Sequence, residues 1–389
     1  MEILFVSHKY PPSVGGMEKQ SFELINGMKP FATVHSIVCS SGQNKLLFFL
    51  VLEKRILDTL RKFPAISVIH FNDALIASFC LTHTSYNHLF TAVTVHGLDV
   101  VFPVRIYQKF VLPAFNRFNL VIAVSQATAS ACTDRGIAPQ KLVVINNGVD
   151  HSLLDTEADK DFFESFSAGY GISLKGKTVL TVMGRPVKRK GFSWFIENVL
   201  PRLEGDFIIL VIGPFNKKRL FSDRLFSSIP GVVRNKLELL LGYPTDENQV
   251  RRLLSEKRFN EKAIHLGKLS NKHLKQVLVR TDAFLMPNIL VKGDMEGFGL
   301  VCLEASLCGA WVFASGIDGL TDAVHPGKNG TLIPAENISG WVSALNNFIS
   351  GPANFHSLRN SGKSYTKNNF GWEKMVKSYL NVFREQLPD

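Results

Sequence analysis

The sequence predicts an α/β protein of two doubly wound halves, and three observations lead there. Short β-branched and apolar runs alternate with helical patterns along almost the whole chain, the signature of parallel sheets covered by helices on both faces. At 389 residues, 46% hydrophobic and 20% charged, the chain can bury two cores and is unusually long for one. A polar stretch at 150–177, with several acidic residues and glycines at 169, 171 and 176, separates two sets of strand signals and reads as a linker region.

Strand signals in the first half fall at 2–7, 33–39, 66–71, 91–96, 119–124 and 142–146. Those in the second half fall at 178–182, 207–212, 262–266, 282–287 and 311–314. This assigns 1–165 to an N-terminal domain and 175–370 to a C-terminal one. A last helical pattern, about 372–389, starts at Gly371-Trp372-Glu373 and is expected to cross back to the first half.

Composition narrows the function classes. A formal charge of +11 suggests an anionic partner: nucleic acid, a membrane surface or a phosphorylated small molecule. The densest basic cluster, Arg185 to Lys190, lies in a loop after a strand. No aromatic-basic pattern of the kind used by single-stranded nucleic-acid modules accompanies it, so nucleic acid is not expected as a partner. Five cysteines without a Cys-x-x-Cys pair fit neither a disulfide framework nor a zinc site and read as buried thiols. The longest apolar run, 46–52, is far below the roughly 18 residues of a membrane span, and the N-terminus opens straight into a strand without a signal-peptide profile. A cytoplasmic protein is expected. The segment Phe48 to Phe63, with Lys54, Arg55, Arg61 and Lys62, has two readings, a helix covering the sheet or an amphipathic helix on the inner membrane surface, so whether 45–63 touches membrane is left open. The first is preferred; the second would make the protein peripheral at the cytoplasmic face.

Ligands of open parallel sheets bind beyond the carboxyl ends of the strands, and the unusual residues fall there. The most informative stretch is Glu296-Gly297-Phe298-Gly299-Leu300, followed by Glu304 eight residues after the first glutamate. It lies between a buried-strand pattern, Ala283 to Met286, and a helical one beginning at Leu300. Glycines at such a corner let a ligand approach the main chain, and the helix N-terminus offers free N–H groups and about half a positive charge, a setting suited to phosphate. Glu304 lies more than one turn into the helix and can hardly serve the same atoms as Glu296, so the two carboxylates have separate tasks. Gly15-Gly16 opens a helix after the first strand, His96-Gly97-Leu98-Asp99 ends the fourth, and Gly184-Arg185 with Lys190-Gly191 follows the first strand of the second half. Each has an ordinary reading when taken singly: a flexible loop, a core histidine, a solvated charge run.

Together, in this order and at these strand ends, the motifs resemble the retaining glycosyltransferases of the large family four, with their GT-B architecture. Asn147-Gly148-Val149-Asp150 adds to the resemblance, which spans nearly the whole chain. It implies two Rossmann-like domains facing each other across a cleft, with the acceptor on the first and a nucleotide sugar, UDP- or GDP-linked, on the second. Residue by residue, it implies that Glu296 touches the donor sugar's hydroxyls and that the amides of Gly297, Phe298, Gly299 and Leu300 hold sugar and phosphate. Glu304 would accept from the ribose hydroxyls, and Arg185 and Lys190 would clamp the diphosphate. Gly15 and Gly16 would approach that diphosphate, His96 would contact the sugar near the acceptor, and the turn at Leu269 would shelve the nucleobase. Two positions depart from the family pattern: Asp322, where many members carry glutamate, and Asn72-Asp73, where histidine is common.

The implied reaction is retaining hexosyl transfer to a saccharide or lipid-linked hydroxyl, in bacterial surface polysaccharide synthesis. Cations aimed at a departing nucleoside diphosphate stabilise the charge that develops there, so neither metal nor cofactor is expected. Glu296 then positions and stabilises the sugar without becoming covalently attached, two-step covalent catalysis being the other route open to a carboxylate. A metal-dependent transferase would need Asp-x-Asp after a strand, and the one such pattern, Asp159 to Asp161, lies in the polar stretch. The alternatives of another class are a nucleotide-sugar epimerase and a non-transferring nucleotide-sugar binding protein on the same fold.

Overall fold

The computed structural model describes residues 1–39, 42–215 and 245–387. It resolves into two compact units, the first made of Met1–Val149, Met295–Leu300 and Phe370–Asp389, the second of Asp150–Asp294 and Val301–Asn369.

The first unit holds β1 (Glu2–Ser7), β2 (Thr33–Val38), β3 (Ile66–Phe71), β4 (Phe90–Val95), β5 (Leu120–Ala123) and β6 (Leu142–Val144). They form one parallel sheet in the order β2-β1-β3-β4-β5-β6. Side chains alternate across it: Leu4 and Val6 of β1 enter one apolar cluster with Ile69, Phe71, Val93 and Val95, while Ile3 and Phe5 enter another with Val68, Ala92 and Ile122. Burial on both faces explains why β1, β3, β4 and β5 read as predominantly apolar runs, whereas the edge strand β2, Thr-Val-His-Ser-Ile-Val, is partly exposed.

The second cluster is closed by two helices. Gly16–Met28 contributes Leu24, Ile25 and Met28, and Trp372–Gln386 contributes Met375, Val376, Tyr379, Leu380 and Phe383. Each such side chain contributes roughly 1.5–3 kcal/mol by leaving water, before conformational entropy is subtracted. The two helices pack closely, since a Cβ on Gly27 would lie 2.7 Å from Val376 Cγ2. The C-terminal helix is also tied in by a buried polar chain. Asn72 Oδ1 lies 3.0 Å from His70 Nδ1, His70 Nε2 lies 2.9 Å from Thr94 Oγ1, and Thr94 Oγ1 lies 2.9 Å from the Tyr379 hydroxyl, which also accepts from Gln20 Nε2. Burial lowers the His70 pKa to about 3, so the ring is neutral.

In the second unit β7 (Thr178–Met183), β8 (Phe207–Ile212), β9 (Ala263–Gly267), β10 (Ala283–Met286), β11 (Trp311–Ser315) and β12 (Gly330–Ile333) form a parallel sheet in the order β12-β11-β10-β7-β8-β9. Its core gathers Leu180, Val182, Ile209 and Val211 with Trp341, Leu345 and Phe348 of the helix Ile338–Ser350.

The structure corrects the expected boundaries. The first stretch of the first unit ends at Val149, and 150–177 is no linker but part of the second unit. The Asp159 carboxylate caps the helix Lys160–Gly169, the Asp159 N–H donates to Gln276, and the Tyr170 hydroxyl donates to the Leu266 carbonyl. Met295–Leu300, expected in the second domain, clusters with the first, where Met295 enters the core. The segment expected as one helix at 48–63 is two, Lys45–Leu50 and Leu52–Lys62, which meet at Val51. Trp372–Gln386 belongs to the first unit, and the last two positions of the expected helix, 388 and 389, lie outside the described residues.

Candidate active site

In each sheet the chain leaves one strand in one direction and returns to pair on its other side, so the switch points lie at β1/β3 and β7/β10. Open sheets bind ligands at the carboxyl ends of such strands. The site candidates lie in the loops beyond the carboxyl ends of β1, β4, β7, β9 and β10, at and beside these switch points.

In the first unit three of the motifs are brought together. β4 runs into His96, and Gly97 turns with φ 96°, a left-handed conformation that side chains other than glycine rarely adopt. Against this turn packs the main chain of the Glu296 corner. A Cβ on Gly297 would lie 2.0 Å from the His96 carbonyl oxygen, and a Cβ on Gly97 would lie 2.8 Å from Gly297 Cα. Both positions must be glycine for the two backbones to touch. At the end of the same corner Leu300 reaches Gly16, where a Cβ would lie 3.4 Å from Leu300 Cδ1. Phe298 is buried and its ring lies 6.2 Å from that of Phe370 between centroids, so the aromatic side chain anchors the corner. Gly15 precedes the helix Gly16–Met28, and Glu18 folds back over it.

His96 is held from two directions. Its N–H donates to Asp99 Oδ1 at 2.8 Å, and its ring Nε2 donates to the Asn72 carbonyl at 2.8 Å. In the neutral ring, a donor at Nε2 makes Nδ1 the acceptor. Burial pushes the Asp99 carboxyl above its ordinary range, against the opposing pull of His96. Asp73 contributes beside it: Oδ1 caps the helix Ala74–Cys80 through the Ile76 N–H, and Oδ2 lies 2.9 Å from His8 Nδ1. This His8–Asp73 pair is a site feature that sequence reading missed, because its members lie 65 positions apart.

Gly148 packs against the start of the C-terminal helix. A Cβ there would lie 2.4 Å from the Trp372 nitrogen, and Val149 bridges Gly371, so the Asn147–Asp150 motif seats the returning tail.

In the second unit β7 leads into Gly184, Arg185 and the 3₁₀ turn Lys188–Lys190. Gly191 adopts φ 65°, and a Cβ on it would lie 2.0 Å from the Pro287 carbonyl oxygen, so the loop presses onto the chain beyond β10. Asp246 braces it, accepting from Ser193 N–H and hydroxyl while its own N–H donates to Pro186. Within this loop Arg185 is exposed, whereas Lys190 is 7% exposed and lies along Gly184 with its ammonium 3.6 Å from Met286 Sδ. Glu304 is the fifth residue of the helix Leu300–Leu307 and half-buried. It belongs to the second unit and Glu296 to the first. Leu269, half-buried, follows β9 in the turn before the helix Asn271–Arg280. Near it stands a stack that the sequence did not announce: Phe215 lies on His265, 3.6 Å between centroids at 17°, and the Arg251 guanidinium covers Phe215 at 4.2 Å.

Comparison with known proteins places the chain in a family. The model described as "Glycosyl transferases group 1" matches residues 171–368, just over half of the chain, and "Glycosyltransferase Family 4" matches 14–153. The chain belongs to the glycosyl transferases of group 1. A D-inositol 3-phosphate glycosyltransferase of Rhodococcus opacus is 33% identical over 96 residues, covering 25% of this chain and 21% of that protein. A GDP-mannose-dependent monoacylated alpha-(1-6)-phosphatidylinositol monomannoside mannosyltransferase of Corynebacterium glutamicum is 26% identical over 169 residues, 42% of this chain and 44% of that one. The matches thus span less than half of either relative's length. Among solved structures, HepE of Anabaena, in complex with UDP and glucose, superposes with a TM-score of 0.72 at 18% identity, covering 99% of this chain and 100% of that one. Sucrose-phosphate synthase from Thermosynechococcus elongatus gives 0.70 at 16%, over 99% and 98%. These likenesses establish the fold, GT-B.

Proposed function

We propose that the protein is a retaining, metal-independent glycosyltransferase that moves a sugar from a nucleoside-diphosphate sugar to a hydroxyl of a saccharide or lipid-linked acceptor. The observation that carries this reading is the backbone contact of Gly297 with His96-Gly97, joined by Leu300 against Gly16. It gathers three motifs of the family pattern at the carboxyl ends of β1 and β4.

The chemistry follows from charge. Breaking the bond between sugar and diphosphate leaves negative charge on the leaving group and positive charge on the sugar ring. Arg185 and Lys190 meet the first; Lys190, withdrawn from water, exerts its charge where the dielectric is low. The carboxylate of Glu296 meets the second. The amides of 297–300 bind sugar and phosphate oxygens, Glu304 accepts from the ribose, and Leu269 supports the base. His96, with Nε2 committed to Asn72, accepts a sugar hydroxyl's hydrogen bond at Nδ1. The acceptor's proton passes to the departing phosphate on the same face, which preserves the anomeric configuration.

The names of relatives and neighbours guide the donor screen. HepE was solved with UDP, and the Corynebacterium relative is GDP-mannose-dependent, so UDP- and GDP-sugars are both tested. A thermal-shift panel selects the donor, since a ligand at about 100 times its dissociation constant adds roughly 2.7 kcal/mol of stability. Incubation with acceptors in the presence of EDTA should then release free nucleoside diphosphate and a glycosylated product. Loss of activity with EDTA that Mn²⁺ restores would refute metal independence; a new nucleotide sugar with no released diphosphate would refute transfer.

A further inference from the structure

Three strand ends of the first unit are laced together through consecutive residues of the loop after β3. The Asn72 carbonyl accepts from His96 Nε2, Asp73 Oδ2 lies 2.9 Å from His8 Nδ1, and the Ala74 N–H donates to Asp99 Oδ2 at 3.4 Å. Asp99 Oδ1 closes the frame on the His96 N–H. Two imidazoles are thus held from one loop, His96 from the β4 side and His8 from the β1 side. Sugar transfer as proposed employs the first and leaves the second without a task.

His8 is an oriented ring. Its side chain is 6% exposed, tilts against Phe49 with 5.6 Å between centroids, and meets a carboxylate that is itself 1% exposed. That carboxylate is fixed in turn, because Oδ1 is committed to the Ile76 N–H at 3.0 Å. A carboxylate accepts, so Nδ1 carries the proton and the neutral ring presents Nε2 as an acceptor. No hydrogen bond to Nε2 occurs among the described residues. Charge selects what it can take. Asp73 and Asp99 stand on the adjoining loops, no Lys or Arg occurs in 72–74 or 96–99, and Lys9, next in sequence, pairs with Glu18 at 3.6 Å. A phosphate oxygen would meet repulsion there, whereas a hydroxyl donates to Nε2. β1 and β4 flank β3, about 10 Å apart at ordinary strand spacing and further than one sugar ring reaches, so a sugar on His96 leaves His8 to a second one. We propose that His8 positions the acceptor by accepting a hydrogen bond at Nε2 from one of its sugar hydroxyls, an inference that rests on the proposed sugar transfer.

Rates are measured with the donor found by thermal shift, on a panel of octyl hexosides and octyl disaccharides and, separately, on hexose phosphates. Donor hydrolysis without any sugar acceptor is followed alongside, since water needs no grip from His8. His8→Ala should raise the KM of the best octyl glycoside roughly 2- to 10-fold, the range for one neutral hydrogen bond, and leave donor hydrolysis and the donor's thermal shift unchanged. His8→Gln, whose amide can take the place of Nε2, should recover part of the loss. An unchanged acceptor KM in His8→Ala, a loss that falls equally on donor hydrolysis, or a wild type that uses hexose phosphates or water but no octyl glycoside would overturn the proposal. Failure of the wild type to release nucleoside diphosphate under any of these conditions would refute sugar transfer itself, and the role of His8 with it.

Discussion

Replacing Gly297 with alanine probes the backbone contact on which the site depends. The added Cβ would lie 2.0 Å from the His96 carbonyl oxygen, whereas atoms in van der Waals contact stand about 3.5 Å apart. The two chains must therefore part by roughly 1 Å or more. Overpacking of this kind costs about 1–3 kcal/mol of stability. The effect on chemistry should be larger in relative terms, because a displacement of about 1 Å can cost a factor of roughly 10² in rate. Turnover with saturating donor and acceptor should fall by about that factor while the protein remains folded. Gly169→Ala is the control, since a Cβ there meets nothing within 4 Å. It should leave turnover unchanged and stability level or raised by about 0.4–1 kcal/mol. Should Gly297→Ala turn over at the wild-type rate, the contact does not position reacting groups and the assignment of the corner fails.

Arg185→Ala and Lys190→Met, the latter keeping the buried stem, should each lower turnover by roughly 10² to 10³, the scale for losing an aimed donor. Glu304→Ala should mainly raise the apparent donor binding constant, because a ribose contact is alike in ground and transition states; steady-state rates in all three variants check both. His70 makes stability pH-dependent. Its pKa is lowered by burial to about 3 in the folded chain against 6.5 ordinarily, so between these values the unfolded state binds the extra proton. Stability should fall as pH drops below 6.5 and level off near 3. Denaturant unfolding across that range should show a shallower slope in His70→Gln, and an unchanged slope would refute the neutral buried ring.

Eleven of the twelve strands lie where the sequence pattern places them, most plainly the central ones, because strands buried on both faces are predominantly apolar. The twelfth, β12, is a four-residue edge strand paired with β11, with two of its residues half-buried, and carries little pattern to read. The stretch 150–177 misled through its polarity. Its helix was nonetheless written in Phe162, Phe166 and Tyr170 at four-residue spacing, whose rings lie 5.2 Å and 4.8 Å apart in succession. No local signal could have assigned Met295–Leu300 to the first unit. That membership arises from Gly297 meeting His96-Gly97, a contact between segments two hundred positions apart in which glycine is informative only once its neighbour is known. The candidate motifs stand out in the sequence because they sit at strand ends, where neither core packing nor helix periodicity asks for glycine pairs, clustered cations or a strand-terminal histidine; the burial of Lys190 was not legible there.

The most direct test of the functional reading is the anomeric configuration of the product. With the donor found in the panel and a hydroxyl acceptor, the proton NMR coupling of the newly linked sugar reports that configuration without reference to any variant. The reading predicts a glycoside with the same anomeric configuration as the nucleotide sugar, formed in step with free nucleoside diphosphate. A glycoside of inverted configuration, or diphosphate released without any glycoside, would contradict it.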